Sequence, residues 1–551
     1  MIHIAKKKKK GNVYLYLEHT GRVNGKSKRL WQRYLGPEHR FKELSKIALD
    51  FDVETETIDF GLIAALLLVA KRLGIVNIIN KVAKKRKQGL TVGEHLLFAA
   101  INRCVQPVSK SQLKEWFDST ALKKIYPNIC SKLDSRSYWS HFRYLSEKKI
   151  ELIGDELAKA IIKKFQVNFN DLLFDPTNFF TYINPKNSNQ TLPRHGHSKD
   201  GRSTLNLVNF SLFCALDGGI PLLHLIYPGN VQDATHFKNA LKRLKSRLSR
   251  IDIPSANVTL TFDKGNLSKD AFKFIDQERN DYISSIRPST QKNMLLITPE
   301  DFEAVVLPNG KKIGVKEFEG EKYGKKRRFI ALYNPKQARW LQENFEAKIA
   351  DKISKIEEYF KNRLNNQYWS KLDKVLKKCQ KIIGAKKFQK VVNVEISGKE
   401  GELTMSVSKN KGAYEEHVLT LGKSFLMTSR DDLAAWEVAW AYRQQYIVEN
   451  AFKYLKNPKY LSVRPMNHRV DSSVRGHLFC CFLGLLLLSL LVRDLIGRDI
   501  PMSISKAIKY LKTIKITEIT IPGRKKPIEI VDKMSEQAKL LYDALELKRF
   551  I

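Results

Sequence analysis

The sequence predicts an α/β protein of several domains, and three observations carry that prediction. The chain has 551 residues, too many for one core and enough for roughly three to four domains of ordinary size. Its 43% hydrophobic content and 28 Phe can build well-buried cores, which excludes global disorder. From Asn168 onward, strand-like runs alternate with helix-like stretches, whereas the residues before it are strand-like or wholly helical in periodicity.

Charge narrows the partners. There are 97 Lys and Arg against 57 Asp and Glu, a formal net charge of +40 spread along the whole chain. Such a field attracts polyanions and binds them in a salt-dependent way. No long basic amphipathic helix points to a membrane surface. Cys104, Cys130, Cys214, Cys379, Cys480 and Cys481 form no C-x-x-C pair and read as reduced thiols of a cytoplasmic protein. Lys6 to Lys10 are not followed by an apolar signal core. The most apolar stretch, Leu478 to Val492, spans 15 residues, against about 20 needed to cross a bilayer, so a buried helix and no membrane span are expected.

The elements follow in order. Residues 1–55 read as a basic β-hairpin arm, with strands at 12–17 and 28–34. Its turn, Gly21 to Ser27, imitates a phosphate-binding loop but joins two strands and is one residue short between its glycines. Residues 56–167 read as a helical domain whose basic connections, such as Lys84 to Lys87, suit DNA binding, although a plain structural bundle fits almost as well. Residues 168–289 then give strands at 171–174, 205–214, 220–226, 258–262 and 282–286, with helices at 233–248 and 268–277. Three strands, a helix, a strand, a helix and a strand is the order of a ribonuclease-H-like fold, which other α/β folds share in part. Residues 290–423 break the rhythm as a β-rich insertion with a long Lys-rich helical stretch, about 335–381, and strands that include 329–333 and 416–421. Residues 424–497 resume the core with a strand at 424–428 and a helix over 433–456, and 498–551 form a C-terminal region with a strand at 514–521.

Three acids could carry chemistry. Asp175 follows an apolar run, where a lone acid is most often a turn or cap residue. Asp263 ends a buried strand and is followed by Lys-Gly and a helix, the kind of strand end at which α/β folds gather ligands. On the helix over 433–456, Tyr442, Gln445, Glu449, Lys453 and Lys456 are spaced three, four, four and three apart along one face, although Glu449 and Lys453 would also suit a plain surface pair. Together the acids make more sense. Hard divalent ions prefer a few carboxylates with phosphate oxygens and water, and two such ions can activate an attacking oxygen and stabilise a leaving one.

At these residues the sequence resembles the DDE transposases of bacterial and archaeal insertion sequences, in the branch with a YREK signature. Tyr442, Glu449 and Lys456 occupy three of its four places, and Gln445 stands where that branch has Arg. Asp175 with Thr177 is similar to the family's first acid, and Asp263-Lys-Gly265 to its second. Gly196 to Arg202, Gly219-Ile-Pro and Pro228-Gly-Asn230 match further family segments. The intervals of 88 and 186 residues between the acids suit that branch, which carries a β-rich insertion before its glutamate.

The resemblance implies a ribonuclease-H-like core and two divalent ions, Mg2+ with Mn2+ as a substitute, held by Asp175, Asp263 and Glu449. Tyr442, Gln445, Lys453 and Lys456 would contact DNA. The implied activity is cleavage and strand transfer at the terminal inverted repeats of an insertion sequence, through a hairpin intermediate, and then insertion into target DNA. A homodimer would bring two ends together, in the nucleoid-associated cytoplasm. The rival readings are a nuclease of the same fold that never joins strands, and an inactive DNA-binding copy acting as a repressor.

Overall fold

A computed structural model describes residues 2–23, 26–40, 42, 54–84, 89–127, 129, 133–183, 190–202, 204–288, 292–464, 466, 468, 470–521 and 526–551. Gly25 of the N-terminal turn, the basic connection Lys85 to Lys87 and Cys130 lie outside the described residues. The chain forms two compact units, Met1–Ala64 with Phe117–Pro127 and Ile508–Ile551, and Ala65–Trp116 with Asn128–Ala507.

The first unit holds three-stranded antiparallel sheets rather than a hairpin. Ile2–Lys9 (β1), Asn12–Val23 (β2) and Lys26–Pro37 (β3) pair in that order. The lysine run is thus itself a strand, which its charge hid from a reading based on apolar alternation. The second sheet joins Glu54–Asp59 (β4) to Lys515–Thr520 (β16), and this to Ile528–Val531 (β17). The C-terminal region therefore folds with the N-terminal one.

The second unit is built on a nine-stranded mixed sheet. Its strands are Asp171–Thr181 (β5), Asn206–Ala215 (β6), Pro221–Pro228 (β7), Thr259–Phe262 (β8), Asp281–Ile286 (β9), Glu303–Val306 (β10), Lys312–Lys322 (β11), Lys325–Tyr333 (β12) and Lys423–Thr428 (β15), in the order β10-β11-β12-β15-β9-β8-β5-β6-β7. β5, β6 and β7 are antiparallel, whereas β5, β8 and β9 run parallel. Helices Asp233–Arg250 and Lys269–Glu278 lie in sequence on either side of β8, so the expected alternation is present. An aromatic ladder fills the layer beneath: Phe174 meets Phe213 and Phe237, Phe237 meets Phe262, and Phe272 meets Tyr282, with ring centroids 4.6–5.0 Å apart.

The main sheet takes in strands that fall within the expected insertion. β10, β11 and β12 belong to the main sheet through β15, so the separate body begins only after Tyr333. That body is mainly helical: Pro335–Phe360, Leu372–Ile383, Lys386–Val391 and Lys411–Leu419, with one hairpin of Val392–Ser397 (β13) and Thr404–Lys409 (β14). Residues expected as a strand at 416–421 mostly lie in its last helix. The body has its own core of Phe345, Ile349, Ile356, Phe360, Val375 and Phe388. The helices between Ala65 and Trp116 and between 133 and 167 belong to the same compact unit as the main sheet. Helix Asp471–Ile496, 26 residues long, is long and apolar enough to cross a bilayer, yet it is largely buried in protein. Helices Val92–Val105, Ser135–Arg143 and Glu147–Phe165 pack on it, and a Cβ on Gly484 would crowd Leu461 Cδ1 at 2.8 Å, Cys104 Sγ at 3.0 Å and the Ala100 carbonyl at 3.2 Å.

Candidate active site

The parallel strands bring the first two acids side by side. Phe174 pairs with Phe262, and Phe262 with Ser284. One residue further along each strand stand Asp175, Asp263 and Ser285, a row across neighbours spaced about 4.8 Å apart. The buried Phe174 and Phe262 pin the backbone just before each acid. Asp175 lies inside β5, opposite Leu212 of β6, and not at a strand end as a turn residue would.

Asp263 is held by its neighbours. Ser285 Oγ donates to its Oδ1 at 2.5 Å, Tyr442 donates its hydroxyl to the same oxygen at 3.1 Å, and the Lys264 amide donates to Ser285 Oγ at 2.9 Å. Burial raises the Asp263 carboxyl, but the bonds from Ser285, the Lys264 backbone and Tyr442 outweigh it and hold the group below its usual range. Burial, with the charges of Asp263 and Glu449 added, pushes the Tyr442 hydroxyl up against the opposing Ser285 bond, which keeps it a donor.

Asp175 is the opposite case. No hydrogen bond from a described residue reaches its carboxylate. Burial raises it to about 7, Lys199 works against that rise, and the charges of Glu449, Asp263 and Asp233 add to it. Lys199 is bridged to Asp233 at 3.0 Å and donates to the Pro176 carbonyl at 2.5 Å. Its segment docks where Gly196 and Gly229 touch, since a Cβ on Gly196 would stand 1.9 Å from the Gly229 oxygen. The sequence segments around these glycines thus owe their residue types to a close backbone approach.

Glu449 is exposed on helix Tyr446–Lys456, which packs on β5. Asp175 and Glu449 line one cleft of about 730 Å³ with Asn450, Lys453, Lys456 and Tyr460. Lys453 is exposed and donates to Asn450 at 3.2 Å, and Lys456 pairs with Asp200 at 3.0 Å. Asp175 therefore feels the charge of the other two acids. Among the described residues, however, no three His, Cys, Asp or Glu side chains stand close enough together to hold a metal ion.

Gln445 is a correction. The expected single helix is two, Ala435–Arg443 and Tyr446–Lys456, joined at Gln444 and Gln445 by tighter three-residue turns. The break takes Gln445 off the exposed face: it is buried, and its Nε2 donates to the Phe174 carbonyl at 2.7 Å. β8 ends beside Phe174, so this amide supplies a donor where the ladder stops. A helical wheel over an unbroken 433–456 could not show this. Two supports of the site, Ser285 and Lys199, escape sequence reasoning. Lys199 falls within the family-like segment Gly196 to Arg202, but Ser285 reaches the site only through strand pairing between residues far apart in sequence.

Sequence and structure comparisons bear on this arrangement. The transposase DDE domain family matches residues 175–487, more than half of the chain. No curated protein matches it. Among solved structures, a piggyBac transposase synaptic complex with hairpin DNA is similar at 10% identity, covering 81% of this chain and 79% of that one, with a TM-score of 0.38. The family match opens on Asp175 and runs past Asp263 and Glu449 into the apolar helix, and on that match the chain belongs to the transposase DDE domain family, enzymes that cleave and transfer DNA strands.

Proposed function

We propose that this chain excises and inserts an insertion sequence by metal-dependent cleavage and strand transfer, with Asp175, Asp263 and Glu449 as the metal-holding residues. The observation that carries the reading is the row of Asp175 and Asp263 at adjacent parallel strands, with Asp175 lining the cleft that Glu449 shares. DDE transposases generally use divalent metal ions, and the chemistry of the donor set suits one: three carboxylates with no thiol or imidazole among them, of which the half-buried Asp175 accepts no hydrogen bond among the described residues, although the three do not stand within reach of a single ion in this structure. That set suits a hard ion such as Mg2+, with Mn2+ as a substitute. When bound, two such ions supply Lewis-acid stabilisation of both the attacking and the leaving oxygen at one phosphorus.

The chain's own residues do the rest. Ser285 and Tyr442 fix the Asp263 carboxylate, while Lys199 offsets the charge crowded around Asp175. Lys453 and Lys456 line the cleft as phosphate-holding cations. Water attacks the scissile phosphorus and the bond to the 3′-oxygen breaks, leaving a 3′-hydroxyl. That hydroxyl then attacks the opposite strand to give a hairpin, releasing the flanking strand. We read β5 to β9 as the ribonuclease-H-like core, a homodimer as the form that pairs two ends, and the nucleoid as the place of action.

The test uses a duplex carrying the element's terminal inverted repeat, taken from the DNA flanking the reading frame. Wild type should nick it with Mg2+ or Mn2+ and join the freed end to a target plasmid. Asp263→Ala should lose nicking by about a thousandfold or more, as loss of a charge-stabilising group does, yet shift the same DNA in a gel. Nicking without joining would favour a nuclease, and binding without nicking by wild type would favour a repressor copy. Parallel loss of binding and nicking in Asp263→Ala would mean a folding defect.

A further inference from the structure

Beside the catalytic cleft lies a second cavity of about 560 Å³, walled by Phe180, Tyr182, Arg202, Ser462, Arg464 and Pro458. Pro458 lines both cavities. Lys456 also belongs to the boundary, since its carbonyl accepts from Arg464 Nη2 at 3.2 Å and its ammonium pairs with Asp200, two residues before Arg202. A DNA strand leaving the cleft past Pro458 meets this cavity next.

Its chemistry is specific. The guanidinium groups of Arg202 and Arg464 both lie 4.3 Å from the Phe180 ring centroid. Phe180 itself is buried and serves as a bed that orients the two planes. Neither guanidinium has a carboxylate partner among the described residues; Arg464 spends Nη2 on the Lys456 carbonyl, and its other donors, with those of Arg202, are left for a phosphate. Tyr182 stands at the edge, 70% exposed, with its ring 5.9 Å from that of Phe180. An exposed aromatic face next to two oriented guanidinium forks matches an unpaired nucleotide, with the base stacked on the ring and the phosphate on the forks. A base within a duplex has no free face to offer.

We propose that this cavity is a subsite for a single-stranded nucleotide of the DNA being processed, with Tyr182 as the base platform and Arg202 and Arg464 as the phosphate clamp. The inference rests on the DNA-processing reading above, and it adds that the strand beside the cut is held unpaired.

An oligothymidylate of eight nucleotides with one 2-aminopurine, and a blunt duplex of random sequence, separate the possibilities without any cleavage. Wild type should quench the 2-aminopurine. Tyr182→Ala should abolish the quench and weaken the single strand by about fivefold to a hundredfold, with duplex affinity unchanged. Tyr182→Phe should keep both quench and affinity, which excludes misfolding as the cause. Arg202→Ala should lower the slope of log affinity against log salt by about 0.7 for the single strand. Retention of the quench in Tyr182→Ala, or equal losses for both probes, would overturn the subsite. Failure of the transposase reading has another signature, since wild type would then neither nick nor join terminal-repeat DNA, whatever the quench shows.

Discussion

Two neighbouring aspartates differ because one carboxylate accepts hydrogen bonds and the other, among the described residues, accepts none. Asp263 is held ionised by Ser285, the Lys264 amide and Tyr442, whereas Asp175 is raised to about 7 by burial and by the acids around it. The raised group sets a sign. In the metal-free protein the folded state binds the Asp175 proton more tightly than the unfolded chain does. Its stabilisation is therefore fully present below the unfolded value of 3.8 and is lost as pH rises through about 7. Calorimetry without divalent ions should show stability falling across that window. Asp175→Asn should flatten the fall and raise Tm near pH 8 by about 5 °C, an order-of-magnitude figure for a protein this large. The same variant should lose activity. A profile unchanged by the substitution would mean that Asp175 titrates normally. Ser285 gives a second case. Ser285→Ala removes a donor from Asp263 and an acceptor from the Lys264 amide, so the metal concentration needed for half-maximal nicking should rise about 10- to 100-fold. Ser285→Thr, which keeps the hydroxyl, should restore it.

At the scale of elements, strands were legible where apolar residues ran together. The five strands at 171–286 and the two helices between them emerge from periodicity because burial on a two-sided sheet leaves continuous apolar runs. β1 did not, since its lysines interrupt any apolar pattern. Asp175 read as following a strand that in fact continues to Thr181, because Pro176 and the polar residues after it resemble a turn. The candidate acids were legible as residues, but their supports were not: Ser285 and Lys199 act through contacts that no local spacing encodes. The helix break at Gln444 and Gln445 shows the same limit, and it reverses an expectation. On an unbroken helix, Gln445→Arg would add a phosphate contact and steepen the salt dependence of binding. With Gln445 buried against the Phe174 carbonyl, the substitution instead drives a guanidinium under β5. Gln445→Arg and Gln445→Ala should each lower stability by about 1–3 kcal/mol, the cost of leaving a buried carbonyl unsatisfied or burying a charge poorly. Chemical denaturation measures this directly. A stable Gln445→Arg protein with tighter DNA binding would instead place the side chain at the surface.

On the scale of the whole molecule, the +40 charge is densest at the N-terminal sheet, which we propose as a DNA-binding surface. Residues 1–40 contain 11 Lys and Arg but only two acids. Both acids are already engaged: Glu18 pairs with Lys7 and Arg29, and Glu38 with Lys6. Lys8, Lys9, Lys28 and Arg33 are exposed on β1 and β3 without an acidic partner among the described residues. The same sheet exposes Trp31 and Tyr34, 43% and 54% accessible. A three-stranded sheet of this kind would neutralise phosphates along a duplex without needing the catalytic acids. Each cation removed from a phosphate should reduce the slope of log affinity against log salt by about 0.9 on duplex DNA. Replacing Lys8, Lys9, Lys28 and Arg33 together by Ala should therefore flatten the slope by as much as about 3.6 if all four touch phosphates, and weaken binding most at low salt. Because these residues hold no metal and line no part of the catalytic cleft, the nicking rate at saturating protein should stay within about twofold, small beside the thousandfold losses of a charge-stabilising group. Titrations of one duplex at several salt concentrations, paired with single-turnover nicking, check both halves. An unchanged slope would show that the sheet does not bind DNA, while a slope change with an equal fall in nicking rate would tie it to the chemistry.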